Sequence, residues 1–175
     1  MNLQYLRACA RAAGDKDRPN LTVVQVEIQA TQTFYTATNG HILCHLREEI
    51  PSDKARFLHF PAKDLLKLRG TTELTGDRLT AGNAFVDNDA SFLDGSALFP
   101  DYRRVIPKEF NDKPIPFGFE VMAAFCAIAK ELDLISTGYQ LRYNGEAPAM
   151  AVIPQGIVIL MPFRQDDFNL PEWLT

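Results

Sequence analysis

Apolar positions recur along the chain with a helical period in three separate stretches. Leu3, Leu6, Ala10 and Ala13 fall at spacings of three and four, which predicts a helix over 3–13 that Gly14 and Asp15 stop. Pro61 suits a first helical turn, and Leu65, Leu66 and Leu68 follow it before Gly70, predicting a helix over 61–69. Val121, Phe125, Ile128 and Leu132 share one side of a third predicted helix, 119–132. Between these stretches the period shortens towards two and β-branched residues concentrate. Strands are predicted over 21–28, 33–38 and 41–46 after the first helix, and over 71–74, 78–81 and 84–86 after the second. After the third helix the expected strands are 140–143, 149–153 and 157–161, with turns at Asn144-Gly145 and Gln155-Gly156.

Helix then strands, three times over, predicts an α+β protein. A lone helix of this kind cannot cover its own apolar stripe, so each unit expects a sheet and neighbours of its own type. The shift in composition at 107–116 (PKEFNDKPIP) reads as a linker. The expected organisation is a two-unit domain over 1–107, a linker over 108–116, a third unit over 117–164 and a tail over 165–175.

Charge modifies this picture. The net charge is −4, but residues 1–50 carry five basic and five acidic side chains and 51–107 carry eight of each. Residues 108–175 carry five against nine, so the whole deficit lies there. That balance argues mildly against a partner held by phosphate neutralisation. The longest apolar run, 156–162, is too short to span a bilayer, and Arg7 and Arg11 interrupt the N-terminal stretch, so the expected location is cytoplasmic with no membrane partner. Cys9, Cys44 and Cys126 are odd in number and widely spaced, which predicts reduced, buried thiols.

Enzyme chemistry finds little purchase. His41, His45 and His59 lack metal-ligand spacing, and no nucleophile elbow, phosphate loop or dinucleotide fingerprint occurs. Asp87, Asp89 and Asp94 alternate round a turn but lack the glycine and terminal glutamate of a calcium loop, so a solvated edge is expected. Neither a cofactor nor a metal is predicted.

Three short segments carry more information than the periodicity. Residues 37–43 read ATNGHIL, 99–107 read FPDYRRVIP, and 158–164 read VILMPFR. The first resembles the ATDGHRL segment of the bacterial DNA polymerase III β subunit, the DNA sliding clamp. The second is similar to that family's connection between its second and third domains, and the third to its closing VVMPMR. All three stand in the family's order. The resemblance covers residues 1–105 as a middle domain and 114–164 as the second half of a last domain, and it leaves out a first domain and the first half of the last.

The resemblance implies a sliding-clamp fold and a non-enzymatic processivity scaffold with a pocket for polymerase-type partner peptides. Carried over position by position, that pocket takes in Thr38, Gly40, His41, Ile42, Leu43, Pro100, Arg104, Val105, Ile159, Met161, Pro162, Phe163 and Arg164. Asn39 and Ile42 replace the family's Asp and Arg, which makes the expected groove more apolar. Helices of the family face DNA. Arg7 and Arg11, with Lys63 and Lys67, are the matching basic positions, suited to weak, sequence-independent contact with duplex DNA. The third helix differs, since it turns out Ala123, Ala127 and Lys130 bordered by Glu120 and Glu131. The family closes a ring of about a dozen such units, so three units per chain imply a homo-oligomer, with a tetramer completing the count. The alternative is a non-ring relative that binds clamp-interacting peptides, or a clamp itself, as a competitor. In the tail, Gln165, Phe168 and Leu170 resemble the spacing of clamp-binding peptides. The plainer reading of the tail packs Phe168 and Trp173 on its own domain.

Overall fold

The computed structural model describes residues 1–14, 17–52, 54–93, 97–111, 115–143, 145 and 147–163. Arg164 and the tail positions Gln165, Phe168 and Leu170 lie outside them, as does Asp94. Helix α1 (Leu3–Ala10) is opened by Asn2, whose side chain accepts from the Gln4 and Tyr5 amides. It stops three residues earlier than the apolar spacing suggests, because residues 11–12 continue only as a turn. Strands β1 (Val23–Ile28), β2 (Thr33–Thr38) and β3 (Ile42–Glu48) follow.

Strand β4 (Arg56–Pro61) pairs with β1 along its whole length. No strand was expected there, and Pro61, its last residue, was expected to open a helix. A terminal proline is tolerated here because β4 is the last strand of its sheet. Helix α2 (Ala62–Leu65) is shorter than expected, and Leu66 and Lys67 continue it only as a turn. Strands β5 (Thr72–Thr75), β6 (Arg78–Ala81) and β7 (Ala84–Asp87) form a separate three-stranded meander. Asp87 pairs with Arg78 at 2.6 Å across it. A short helix α3 (Ala90–Leu93) and a 3-10 turn (Tyr102–Val105) precede helix α4 (Phe119–Glu131) and strands β8 (Gln140–Arg142), β9 (Ala149–Ile153) and β10 (Gly156–Leu160).

The first and third units share one sheet. Strand β10 pairs antiparallel with β3, so seven strands run in the order β4-β1-β2-β3-β10-β9-β8. The close approach depends on Gly156: a Cβ there would strike the His45 carbonyl and come within 2.9 Å of the Leu46 Cα. Helix α1 lies between α2 and α4 and covers the face of β2 and β3. Leu6, Cys9, Tyr35, Cys44, Leu46, Phe60, Leu65, Phe125, Ile128 and Val158 are buried in one continuous core beneath these helices. Cys9 and Cys44 are buried as expected, but Cys126 is exposed on α4.

Candidate functional site: an apolar groove where two units meet

On the sheet face away from the helices, Leu43 of β3 stands opposite Ile159 of β10. Both are almost fully buried, with Tyr102, in a second, smaller apolar cluster joined by Phe99, Ile106, Met150 and Ile157. The chain therefore lays its connecting segment across the seam between the two units. Two contacts help to fix that segment. Arg103 donates to the mostly buried Glu27 carboxylate at 3.0 Å, and the Tyr102 ring lies 5.0 Å from the His45 ring. His45 is in turn stacked on Phe34 at 5.3 Å and shares a 2.8 Å hydrogen bond with the Thr36 hydroxyl. Burial, reinforced by the nearby Arg103 charge, pulls the His45 pKa down to about 4, so the ring is neutral at pH 7.

The loop before β3 bends back on itself. The Asn39 side-chain oxygen accepts from the amides of His41 and Ile42 at 2.8 and 2.9 Å. Thr38 Oγ1 donates to the Ile42 carbonyl and accepts from the Gly40 amide, and Gly40 sits at φ 90°, a conformation that favours glycine. Only an acceptor is needed at position 39, which Asn supplies as well as Asp. The Met161 amide then donates to the His41 carbonyl at 2.8 Å and carries the pairing of β10 past its last residue.

The result is an apolar groove of about 350 Å³. Thr38, Gly40, Ile42, Leu43, Pro100, Val105, Ile159 and Met161 line it, so the three motif segments converge on one place. His41, Pro162 and Phe163 line an adjoining cleft of about 390 Å³ that shares Met161. Arg104 is not among the groove's lining residues; its exposed guanidinium donates to Asp101 at 3.0 Å. Arg18, Asn20, Leu21 and Tyr102 line the groove although sequence reading did not single them out. The missed signal was Pro19, which turns residues 19–21 into a 3-10 turn where a strand was expected from Leu21, and this brings Arg18 over Gly40.

The helix layer is arranged differently. Arg7 and Arg11, 124 and 120 residues before Glu131 in the chain, both donate to its carboxylate, at 3.0 and 2.6 Å. Arg7 also donates to the Leu68 carbonyl, and only 17% of its side chain is exposed. Burial pushes the Glu131 carboxyl up, but the arginine hydrogen bonds outweigh it and hold the group below the ordinary carboxylate range. In place of two free cations, these arginines clamp α1 to α4. Lys67 is exposed and pairs with Asp64 at 2.7 Å, while Lys63 is exposed.

No protein-family model and no curated protein matches the sequence. Solved structures do match. The DNA polymerase sliding clamp of Bacillus subtilis superposes with a TM-score of 0.70 at 16% identity, over 94% of this chain and 62% of that one. The fold is that of a sliding clamp. The Helicobacter pylori β clamp bound to a DNA ligase peptide matches with a TM-score of 0.66 at 12% identity, over 93% of this chain and 63% of that one. The Pseudomonas aeruginosa clamp bound to griselimycin matches with a TM-score of 0.64 at 17% identity, over 94% of this chain and 64% of that one. This chain spans less than two thirds of the length of these clamps.

Proposed function

We propose that this chain is a sliding-clamp-like scaffold that captures polymerase-type partner peptides in the groove at the β3–β10 seam. The observation that carries the reading is the convergence of the three motif segments on one apolar groove, walled by Leu43, Val105, Ile159 and Met161. Its size and apolar lining suit the anchoring side chains of a short peptide, and the Met161 thioether adapts to varied anchors. Tethering of this kind raises a partner's local concentration and requires no bond to be made or broken. Duplex DNA is the natural second partner of such a scaffold, contacted weakly and without sequence preference from the helix layer.

The test is fluorescence anisotropy of a labelled peptide bearing a glutamine followed by two apolar anchors, titrated with the full chain. Saturable binding is expected. Val105 is 39% exposed, so Val105→Asp leaves the fold intact and weakens binding at least about tenfold, roughly 1.4 kcal/mol. Absence of saturable binding, or binding indifferent to Val105→Asp, overturns the reading.

A second reading is favoured by the Arg7–Glu131–Arg11 cluster. With those charges neutralised internally, a non-ring protein that binds clamp-interacting peptides, or a clamp, as a competitor fits as well. Light scattering separates the two. A closed tetramer retained on circular but not linear DNA supports the ring, whereas a peptide-binding monomer supports the competitor.

A further inference from the structure

The outer flank of α4, the side turned away from α1, carries a second apolar groove of about 410 Å³. Met122, Phe125 and Cys126 of the helix form one wall, Ile135 and Tyr139 of the following loop form the other, and Ile153 lies at the base. Ile135 and Tyr139 remain 75% and 49% exposed, an unusual amount of uncovered apolar surface at one place. We propose that residues 164–175 of the same chain fold back along α4 and seat their apolar side chains in this groove.

Reach, pattern and charge argue for this occupant. The chain leaves the described structure at Phe163, whose amide donates to the Pro116 carbonyl beside the start of α4. From there α4 extends ~20 Å, while twelve extended residues span up to ~40 Å. The first residues of the tail, Arg164, Gln165, Asp166 and Asp167, are polar and suit the passage along the helix rather than an apolar seat. Phe168, Leu170, Trp173 and Leu174 come later, at the distance where the groove lies. The tail is acidic through Asp166, Asp167 and Glu172, and Lys130, which has no ion pair among the described residues, borders the groove. The same Phe163 contact ties the start of the tail beside the first turn of α4, the helix that walls this groove, which favours this seat over the peptide groove.

Trp173 is the protein's one tryptophan, so its fluorescence reports on the tail alone. In the full chain the expected emission is that of a shielded indole, poorly quenched by acrylamide and independent of protein concentration. Ile135→Asp and Met122→Asp, the first at a largely exposed position, should each shift the emission to the red and raise quenching several-fold. Val105→Asp, in the peptide groove, should change neither. A fully hydrated indole in the unmodified chain overturns the proposal, as does shielding that survives both α4-flank substitutions. Release by Val105→Asp would put the tail in the peptide groove, and shielding that appears only as concentration rises would assign it to a second copy; either result also overturns the proposal.

Discussion

Glu27 and Glu131 are both largely buried carboxylates that receive arginines from distant parts of the chain, and they serve opposite kinds of surface. Glu27 holds Arg103, and through it a connecting segment whose apolar side stays open as a groove wall. Glu131 holds Arg7 and Arg11, and the pairing consumes the positive charge of the helix face. In the first region an ion pair shapes a vacancy; in the second it neutralises the charge that a polyanion would bind. On this contrast the proposed binding capacity falls to the groove, and the helix layer reads mainly as structure.

The largest effect is expected where the helix layer is broken. Glu131→Ala leaves Arg7 and Arg11 facing each other without a counter-charge, Arg7 largely out of water. Removing one partner of a buried pair typically costs 3–5 kcal/mol; since 38% of the Arg11 side chain remains exposed, about 2–3 kcal/mol is expected by denaturant titration. The same change frees positive charge, so any binding to duplex DNA should strengthen and become steeper in salt. A loss of stability below about 0.5 kcal/mol would mean the cluster is an ordinary surface pair.

Acid should separate the two regions. His45 beneath the groove wall has a folded pKa of about 4 against 6.5 when free, and His59 is lowered to about 4 by burial as well. Well above pH 6.5 both are neutral, folded or unfolded, and contribute no pH dependence. As pH falls from 6.5 to 4 the unfolded chain takes up protons that the folded chain refuses, so stability declines, by up to about 1.4 kcal/mol per pH unit for His45. Glu131 acts lower: its depressed carboxyl keeps stability that is lost only as pH falls through and below the usual carboxylate range. His45→Phe, which retains an aromatic ring between Phe34 and Tyr102, should flatten part of the first decline and leave the second in place. An unchanged profile between pH 6.5 and 4 would contradict burial of a neutral His45.

Much of this was legible in the residues, unevenly. Apolar periodicity located three of the four α-helices and nine of the ten strands among the described residues, because each has one face committed to the core. The motif segments announced the groove, since a turn such as Thr38–Ile42 is built from its own side chains and needs no distant partner. What escaped has a common physical origin in separation along the chain. Pairing of β10 with β3 joins residues more than a hundred positions apart, and no local pattern specifies it. The Glu131 cluster is similar: Arg7 and Arg11 at i, i+4 look like a free basic stripe until α4 arrives beside them. Arg18 and Leu21 were missed for a local reason, a proline turn read as the start of a strand.

The smallest expected effect sharpens the contrast most. Lys67 and Asp64 form an exposed pair, with 72% of the lysine side chain in solvent, so Lys67→Ala should alter stability by under about 0.5 kcal/mol. Stability is thus nearly silent at this position, and DNA binding is the informative readout. If the helix layer contacts phosphates, losing Lys67 removes about one counterion from the salt dependence, whereas Glu131→Ala moves it the other way. Opposite shifts from two substitutions on one layer would establish that layer as the DNA surface. If neither substitution changes the salt dependence while Val105→Asp still abolishes peptide capture, the groove acts without DNA, and the competitor reading replaces the ring.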